Sequence, residues 1–283
     1  MIPDASGPDD GAPSDPAASA AAFDAATTAA VASGHPDAIR GIYKQLGEVL
    51  EEVTGDDLDS VRPLSWPETA PVVAAALGRP RGIVLDAGCG PWPICASSHW
   101  RMDQPVVGVD LGLGTLRLAR AVCRRESAAI LPVVADLQAL PFCKGAFGGA
   151  VCDDTIEHVP DDAQAVTELA RVIADGGRLV VATPNRRRPD VIWRKMRDRA
   201  RGRARPGREY FAVASHLREY TWRDLGRLVE ADFSVTGRYT VGWMALNAKR
   251  RAMTRLLAVP LVGLHLSRGL VIAAEPRPLR GTG

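Results

Sequence analysis

The chain has 283 residues, 46% hydrophobic and 24% charged, enough for one substantial core and a small cap, and one main domain is expected. Its net charge of +2 hides an asymmetry: residues 1–35 carry five Asp and no Lys or Arg, whereas 186–208 hold eleven Lys/Arg against two Asp. Charge is therefore a local clue, and only the basic block points to an anionic partner.

Residues 1–35 are rich in Ala, Ser, Pro and Asp with few large apolar side chains, and a disordered tail is expected there. This tail lacks the basic start and apolar run of a secretory signal, so export is not expected. From Asp37 onward Ile39, Ile42, Tyr43, Leu46, Val49 and Leu50 recur at helical spacing, which predicts an amphipathic helix docked on something larger. A second helix is expected over 68–77, before the Gly78-Arg79-Pro80 break. The N-terminal helical segment is thus 36–80, and the main domain 81–283.

After that break, short apolar runs at 82–86, 105–110, 130–136, 146–153 and 177–183 read as buried strands. Helical patterns at 94–101, 114–127 and 160–174 lie between them, an alternation that predicts an α/β fold with a parallel sheet covered on both faces. A helix over 222–230 and strands at 233–241 and 269–274 close the chain, after insertions at 186–215 and 242–268. There is no internal repeat. Cys89, Cys95, Cys123, Cys143 and Cys152 form no Cys-x-x-Cys pair, and reduced, mostly packing residues of a cytosolic protein are expected. The longest apolar run, 256–264, is too short to span a bilayer and contains Pro260. The expected location is the cytoplasm, with a peripheral position at the inner membrane surface as the alternative.

Three places carry ligand chemistry. Val84-Leu85-Asp86-Ala87-Gly88-Cys89-Gly90 ends a strand in a glycine turn, where a ligand can approach bare backbone. A purely structural turn is the alternative. Asp110 closes the second strand about twenty residues later, where a carboxylate can accept from both hydroxyls of a ribose. That spacing also suits NAD, but the third glycine of the dinucleotide fingerprint is replaced by Pro93. Asp136 ends the third strand and either accepts from an adenine amino group or caps a helix.

Together these segments resemble class I S-adenosylmethionine (SAM) dependent methyltransferases, the broad family that contains the O-methyltransferases of quinone biosynthesis. Asp86-Ala87-Gly88-Cys89-Gly90 matches the glycine motif, Asp110-Leu111 the ribose-side acid and its neighbour, and Asp136-Leu137 the adenine-side pair. Residues 153–161, beginning Asp153-Asp154-Thr155, match the segment after the fourth strand, and 176–185 match the fifth-strand motif. The resemblance covers about 82–276. It implies a Rossmann-like, seven-stranded, mostly parallel sheet of order 3-2-1-4-5-7-6, with SAM across the carboxyl ends of the strands. Asp86, Gly88, Cys89, Gly90, Asp110, Leu111, Asp136, Leu137 and Asp153 are the cofactor-binding residues it implies. The sequence departs from the pattern at Pro91-Trp92-Pro93, where the bulky Trp92 raises a second reading: a SAM-binding or membrane-surface protein that does not catalyse.

Transfer to a hydroxyl requires a positioned acceptor and a base or metal to take its proton. His158 is the expected base, because it follows the fourth strand and imidazole titrates near neutrality. His216, in Ser215-His216-Leu217-Arg218-Glu219-Tyr220-Thr221, is the second candidate. Arg218 and Tyr220 there are candidates to orient a polar substrate, while Thr221 is expected to cap the helix that follows. Asp154, Glu157 and His158 share one face if 154–158 forms a helical turn. The family resemblance associates such a segment with a divalent metal such as Mg. The alternative is that Glu157 and His158 merely shape a helix start.

The block 186–208 contains Val191-Ile192-Trp193-Arg194-Lys195-Met196, and a second basic and apolar stretch runs over 249–264. Both suggest an anionic, amphiphilic or glycosylated small-molecule acceptor, with peripheral membrane contact an option and a plain solvated charge run the alternative. Nucleic acid is disfavoured, because no binding module is recognisable and Trp193 is the only aromatic within the block. The expected reaction is O-methylation of a small molecule or glycan, with a quinone-like phenol as the rival acceptor.

Overall fold

The computed structural model describes residues 25–27, 29–30, 33, 35–54, 57–61, 66–100, 103–202, 216–242, 267 and 269–277. Its centre is a seven-stranded sheet of order β3-β2-β1-β4-β5-β7-β6. The strands are β1 (Val84–Ala87), β2 (Val106–Asp110), β3 (Leu131–Val134), β4 (Phe147–Asp153), β5 (Ile173–Pro184), β6 (Phe233–Val241) and β7 (Gly269–Pro276). Strands β1 to β5 pair in parallel, and β7 runs antiparallel to both β5 and β6. Order and direction are those the family resemblance implies.

Both faces of the sheet are buried at its centre, which explains why β1 is apolar at the successive positions Val84 and Leu85, whereas β3, predicted to be buried, is an edge strand with Leu131 and Val134 exposed. Leu85 faces one core with Leu169, Leu179, Leu225 and Phe233, whereas Val84 faces the other with Val73, Leu77 and Val122. The first core is covered by α4 (Asp162–Val172) and α6 (Trp222–Glu230), the second by α2 (Trp66–Leu77) and α3 (Leu113–Arg125). Leu169 is fully buried, so truncating it to Ala costs about 2 to 5 kcal/mol. Helix α1 (Pro36–Thr54) packs on α3, and α5 (Pro189–Ala200) follows β5.

Local signals start the helices. The Asp161 carboxylate accepts the Gln164 N–H at 2.9 Å ahead of α4. Thr221 and Asp224 form a reciprocal capping box on α6, which makes Thr221 the cap that the sequence predicts.

Four segments differ from expectation. The helix predicted over 94–101 is a short 3-10 turn, Ile94–Ala96, because Ser97 leaves the helical region for an extended backbone at φ −72° and ψ 136°. Strand β5 begins at Ile173, earlier than predicted. Gly176 turns the chain at φ +73° while Ile173 still pairs with Phe147 beside a bulge. The described positions between Ala25 and Ser33 are helical, with Thr27 and Ala30 buried, although the sequence predicts disorder there. No helical turn spans 154–158: Asp154 has φ +45° and only Ile156–His158 coils, as a 3-10 turn. The basic stretch 249–264 and residues 203–208 lie outside the described residues.

Candidate functional site

In a sheet of this order, neighbouring strands diverge above β1 and β4, and ligands bind at their carboxyl ends. Gly88 follows β1 at φ +74°, and a Cβ there would lie 2.2 Å from Thr155 Cγ2 after β4. Bare backbone at Gly88 is therefore a condition for closing the two strand ends together. The Thr155 hydroxyl lies 3.0 Å from the Gly88 carbonyl. Behind the turn, Asp86 is buried, and its Oδ2 accepts the Ile94 N–H at 2.7 Å.

At the tip of β2, the Asp110 carboxylate accepts the Gly90 N–H at 3.2 Å through Oδ2 and the Gly112 N–H at 2.9 Å through Oδ1. Two backbone donors fix its orientation and still leave a lone pair on each oxygen. Burial pushes Asp86 up to about 7 and Asp110 up to about 6, with the bound amides opposing the shift. Asp136, past β3, accepts the backbone and side-chain N–H groups of Gln138 and forms a 2.8 Å ion pair with Arg40 of α1.

These tips open into a cavity of about 200 Å³. Gly88, Gly90, Asp110, Leu111, Asp136 and Leu137 line it from the strand ends, Ile39, Arg40 and Tyr43 from α1, and Thr115 from α3. Thr115 is buried, and its hydroxyl has no hydrogen-bond partner among the described residues. Asp86, Cys89 and Asp153 stand behind the lining. Trp92 is buried in the second core, with the Arg125 guanidinium 5.0 Å from its ring centroid, and it takes no part in the lining.

Asp154, Thr155, His158, Val159 and Pro160 complete the wall. His158 Nδ1 lies 2.5 Å from the Tyr43 hydroxyl, and its ring stacks edge-on against His216 at 4.8 Å. His216 Nδ1 in turn lies 3.2 Å from Glu219 Oε1, which also pairs with Arg188 at 3.1 Å, deep in the protein. Glu157 is fully buried; its Oε2 accepts the Thr183 hydroxyl at 2.9 Å, and its Oε1 has no partner among the described residues. Burial, reinforced by Asp154, holds the Glu157 carboxyl well above the usual carboxylate range.

One potential ligand atom from each of Glu157, His158 and His216 lies within 4.8 Å of the others. The structure thus gathers a different trio from Asp154, Glu157 and His158, because Asp154 stands outside the 3-10 turn. Arg218 and Tyr220 are committed to the fold. Arg218 donates to the Val159 and Pro160 carbonyls, and the Tyr220 hydroxyl donates to Asp162 at 2.7 Å. Tyr43, Arg40, Thr115 and Gln138 are wall residues to which sequence reasoning assigned no role. Helical periodicity placed Tyr43 on the docked face of α1, but nothing local says what α1 docks against. The His-x-x-Glu spacing of His216 and Glu219 was a readable sign of an oriented imidazole.

A mostly parallel sheet of this order, with a cavity over a glycine turn and acid-tipped strands, is the Rossmann-like arrangement that the resemblance to SAM-dependent methyltransferases implies. The family model described as a methyltransferase domain matches residues 85–181. The chain is 37% identical over 108 residues to a ubiquinone biosynthesis O-methyltransferase of Sodalis glossinidius, covering 36% of this chain and 41% of that one. It is 36% identical over 118 residues to a malonyl-[acyl-carrier protein] O-methyltransferase of Pseudescherichia vulneris, covering 41% and 45%. The alignments thus span less than half the length of these two relatives. Among solved structures, the [4+2]-cyclase SpnF shares the fold at a TM-score of 0.59 and 16% identity, over 83% of this chain and 96% of that one. A cyclase on the same scaffold means that the reaction must be argued from the site.

Proposed function

We propose that the protein transfers a methyl group from SAM to a hydroxyl of a small molecule or glycan. The observation that carries this reading is one cavity lined both by Gly88, Gly90, Asp110 and Asp136 and by His158 with Tyr43. The residues present fit the cofactor. Gly88 has no room for a side chain, Asp110 is oriented with spare lone pairs for ribose hydroxyls, and the unpartnered Thr115 hydroxyl belongs to the same wall. Asp136 and Leu137 supply the adenine end, under Arg40.

Bound SAM supplies a methyl group made electrophilic by its sulfonium. His158 takes the acceptor's proton. For its Nε2 to do so, Nδ1 must carry hydrogen and donate to the Tyr43 oxygen, and the 2.5 Å contact places that oxygen to receive it. His216, held by Glu219, backs the ring and fixes its tilt. Asp154 lines the same cavity. A sugar hydroxyl, the weaker acid, depends on this base more than a phenol does, and a quinone-like phenol remains the second acceptor class. The names of the curated relatives support oxygen as the methylated atom.

A metal-assisted variant is favoured by one observation, the Glu157–His158–His216 trio with its unpartnered carboxylate oxygen. Two imidazoles and one carboxylate suit Zn, Fe or Mn better than Mg, which prefers oxygen ligands. The non-catalytic reading rested on Trp92, and that indole is packed away from the cavity.

Incubation with SAM and metabolite extracts, followed by mass spectrometry, tests the proposal. A species gaining one methyl group, and losing that gain in His158→Ala, is expected. Turnover unchanged in His158→Ala would remove the base assignment, and turnover unchanged by chelators would remove the metal variant.

A further inference from the structure

Strand β5 ends at Pro184 on the same sheet edge as the cavity, and the chain continues directly into α5. The helix is anchored from within: Arg188, just before it, is buried against Glu219, and Val191 is 1% exposed. Its outer side is different. Ile192, Trp193 and Met196 are 37%, 61% and 66% exposed, and they form one strip at i, i+1 and i+4. An indole and a thioether left side by side in water are not explained by the folding of this chain.

The charges around the strip are as one-sided as its apolarity. Arg186 and Arg187 are exposed before the helix, Arg199 and Arg201 at its end. The Arg197 guanidinium lies 5.2 Å from the Trp193 ring centroid. Within 186–201 there are eight Lys/Arg and two Asp, and one of those acids, Asp198, pairs with Arg197 at 3.1 Å. An apolar strip carrying a tryptophan and framed by arginines at both ends has the pattern of a helix that lies in a membrane interface. The ring and thioether reach the acyl boundary while the guanidinium groups meet lipid phosphates.

We infer that α5 docks the protein on an anionic lipid bilayer through Ile192, Trp193 and Met196. RNA would use the arginines but not Ile192 or Met196, and one indole is a poor stacking platform. An acidic protein surface would not need the apolar strip to be flanked at both ends. The inference concerns the surface and holds whether or not the transferase reading does, so its test uses no activity.

The experiment is co-sedimentation of the full chain with vesicles of phosphatidylcholine alone and of phosphatidylcholine with phosphatidylglycerol, at low and high salt. Binding to the anionic vesicles, weakened by salt and by on the order of fivefold per arginine in Arg199→Glu and Arg201→Glu, is expected. Trp193→Ala with Met196→Ala should lower it by about tenfold, with unchanged circular dichroism because both positions are exposed. Absence of binding to anionic vesicles would overturn the inference. So would binding that ignores the Trp193 and Met196 changes, or tighter retention by a single-stranded RNA homopolymer that depends on the arginines alone.

Discussion

The Tyr43 hydroxyl stands 2.5 Å from His158 Nδ1, joining residues 115 positions apart across the mouth of the cavity. Through this contact a helix outside the matched domain reaches the candidate base. Tyr43→Phe keeps the ring and removes the hydroxyl, so turnover should fall by about tenfold, the rate equivalent of one hydrogen bond. SAM affinity measured by calorimetry should stay within about twofold, since the phenol serves the base and not the cofactor. A parallel loss of affinity would show that Tyr43 holds SAM instead.

The acids at the strand tips give two pH dependences of opposite sign. Asp110 has a folded value of about 6, above the ordinary 3.8, and Asp86 one of about 7, so the folded state holds these protons longer than the unfolded chain. Their contribution to stability is therefore full below the unfolded value and declines as pH rises through the folded ones. Ribose hydroxyls donate best to the ionised carboxylate, so SAM affinity should rise about tenfold between about pH 5 and pH 7. Calorimetry across that range checks it, and Asp110→Asn should flatten the curve.

The two glycines of the turn should respond differently to a methyl group. At Gly88 a Cβ would strike Thr155 at 2.2 Å, whereas at Gly90 nothing lies within 4 Å. Gly90→Ala should cost about 1 kcal/mol, for its left-handed backbone alone. Gly88→Ala should cost at least about 2 kcal/mol more, through strain and the displaced Thr155. Midpoints of denaturant unfolding measure both.

The Arg188–Glu219 pair is nearly inaccessible, with side chains 6% and 1% exposed. Glu219→Gln removes the negative charge of this buried pair and should lower stability by about 3 kcal/mol. Replacing both residues with Met should recover most of that loss in the same unfolding assay, which would separate the charge from the packing.

What the sequence shows most clearly is what local chemistry decides. The strand Phe233–Val241 and the helix Trp222–Glu230 fall where periodicity and the Thr221 cap put them. Acidic strand ends at Asp110 and Asp136 were readable because a fixed distance after a glycine turn has a chemical meaning. Periodicity failed where the backbone left the helical region. The extended backbone at Ser97 ends the turn begun at Ile94, and the left-handed Asp154 breaks the turn that would have aligned it with His158. Tyr43 and Arg40 became site residues only through tertiary contacts, which no spacing along the chain encodes.

Calorimetric titration of SAM into the full chain and into Asp110→Ala tests the central claim most directly. One saturable site in the parent protein, weakened by at least about tenfold in the variant, is the predicted result, because two ribose hydrogen bonds to a charged acceptor are lost. Heat of the same size and affinity in both proteins, or none in either, would contradict the account.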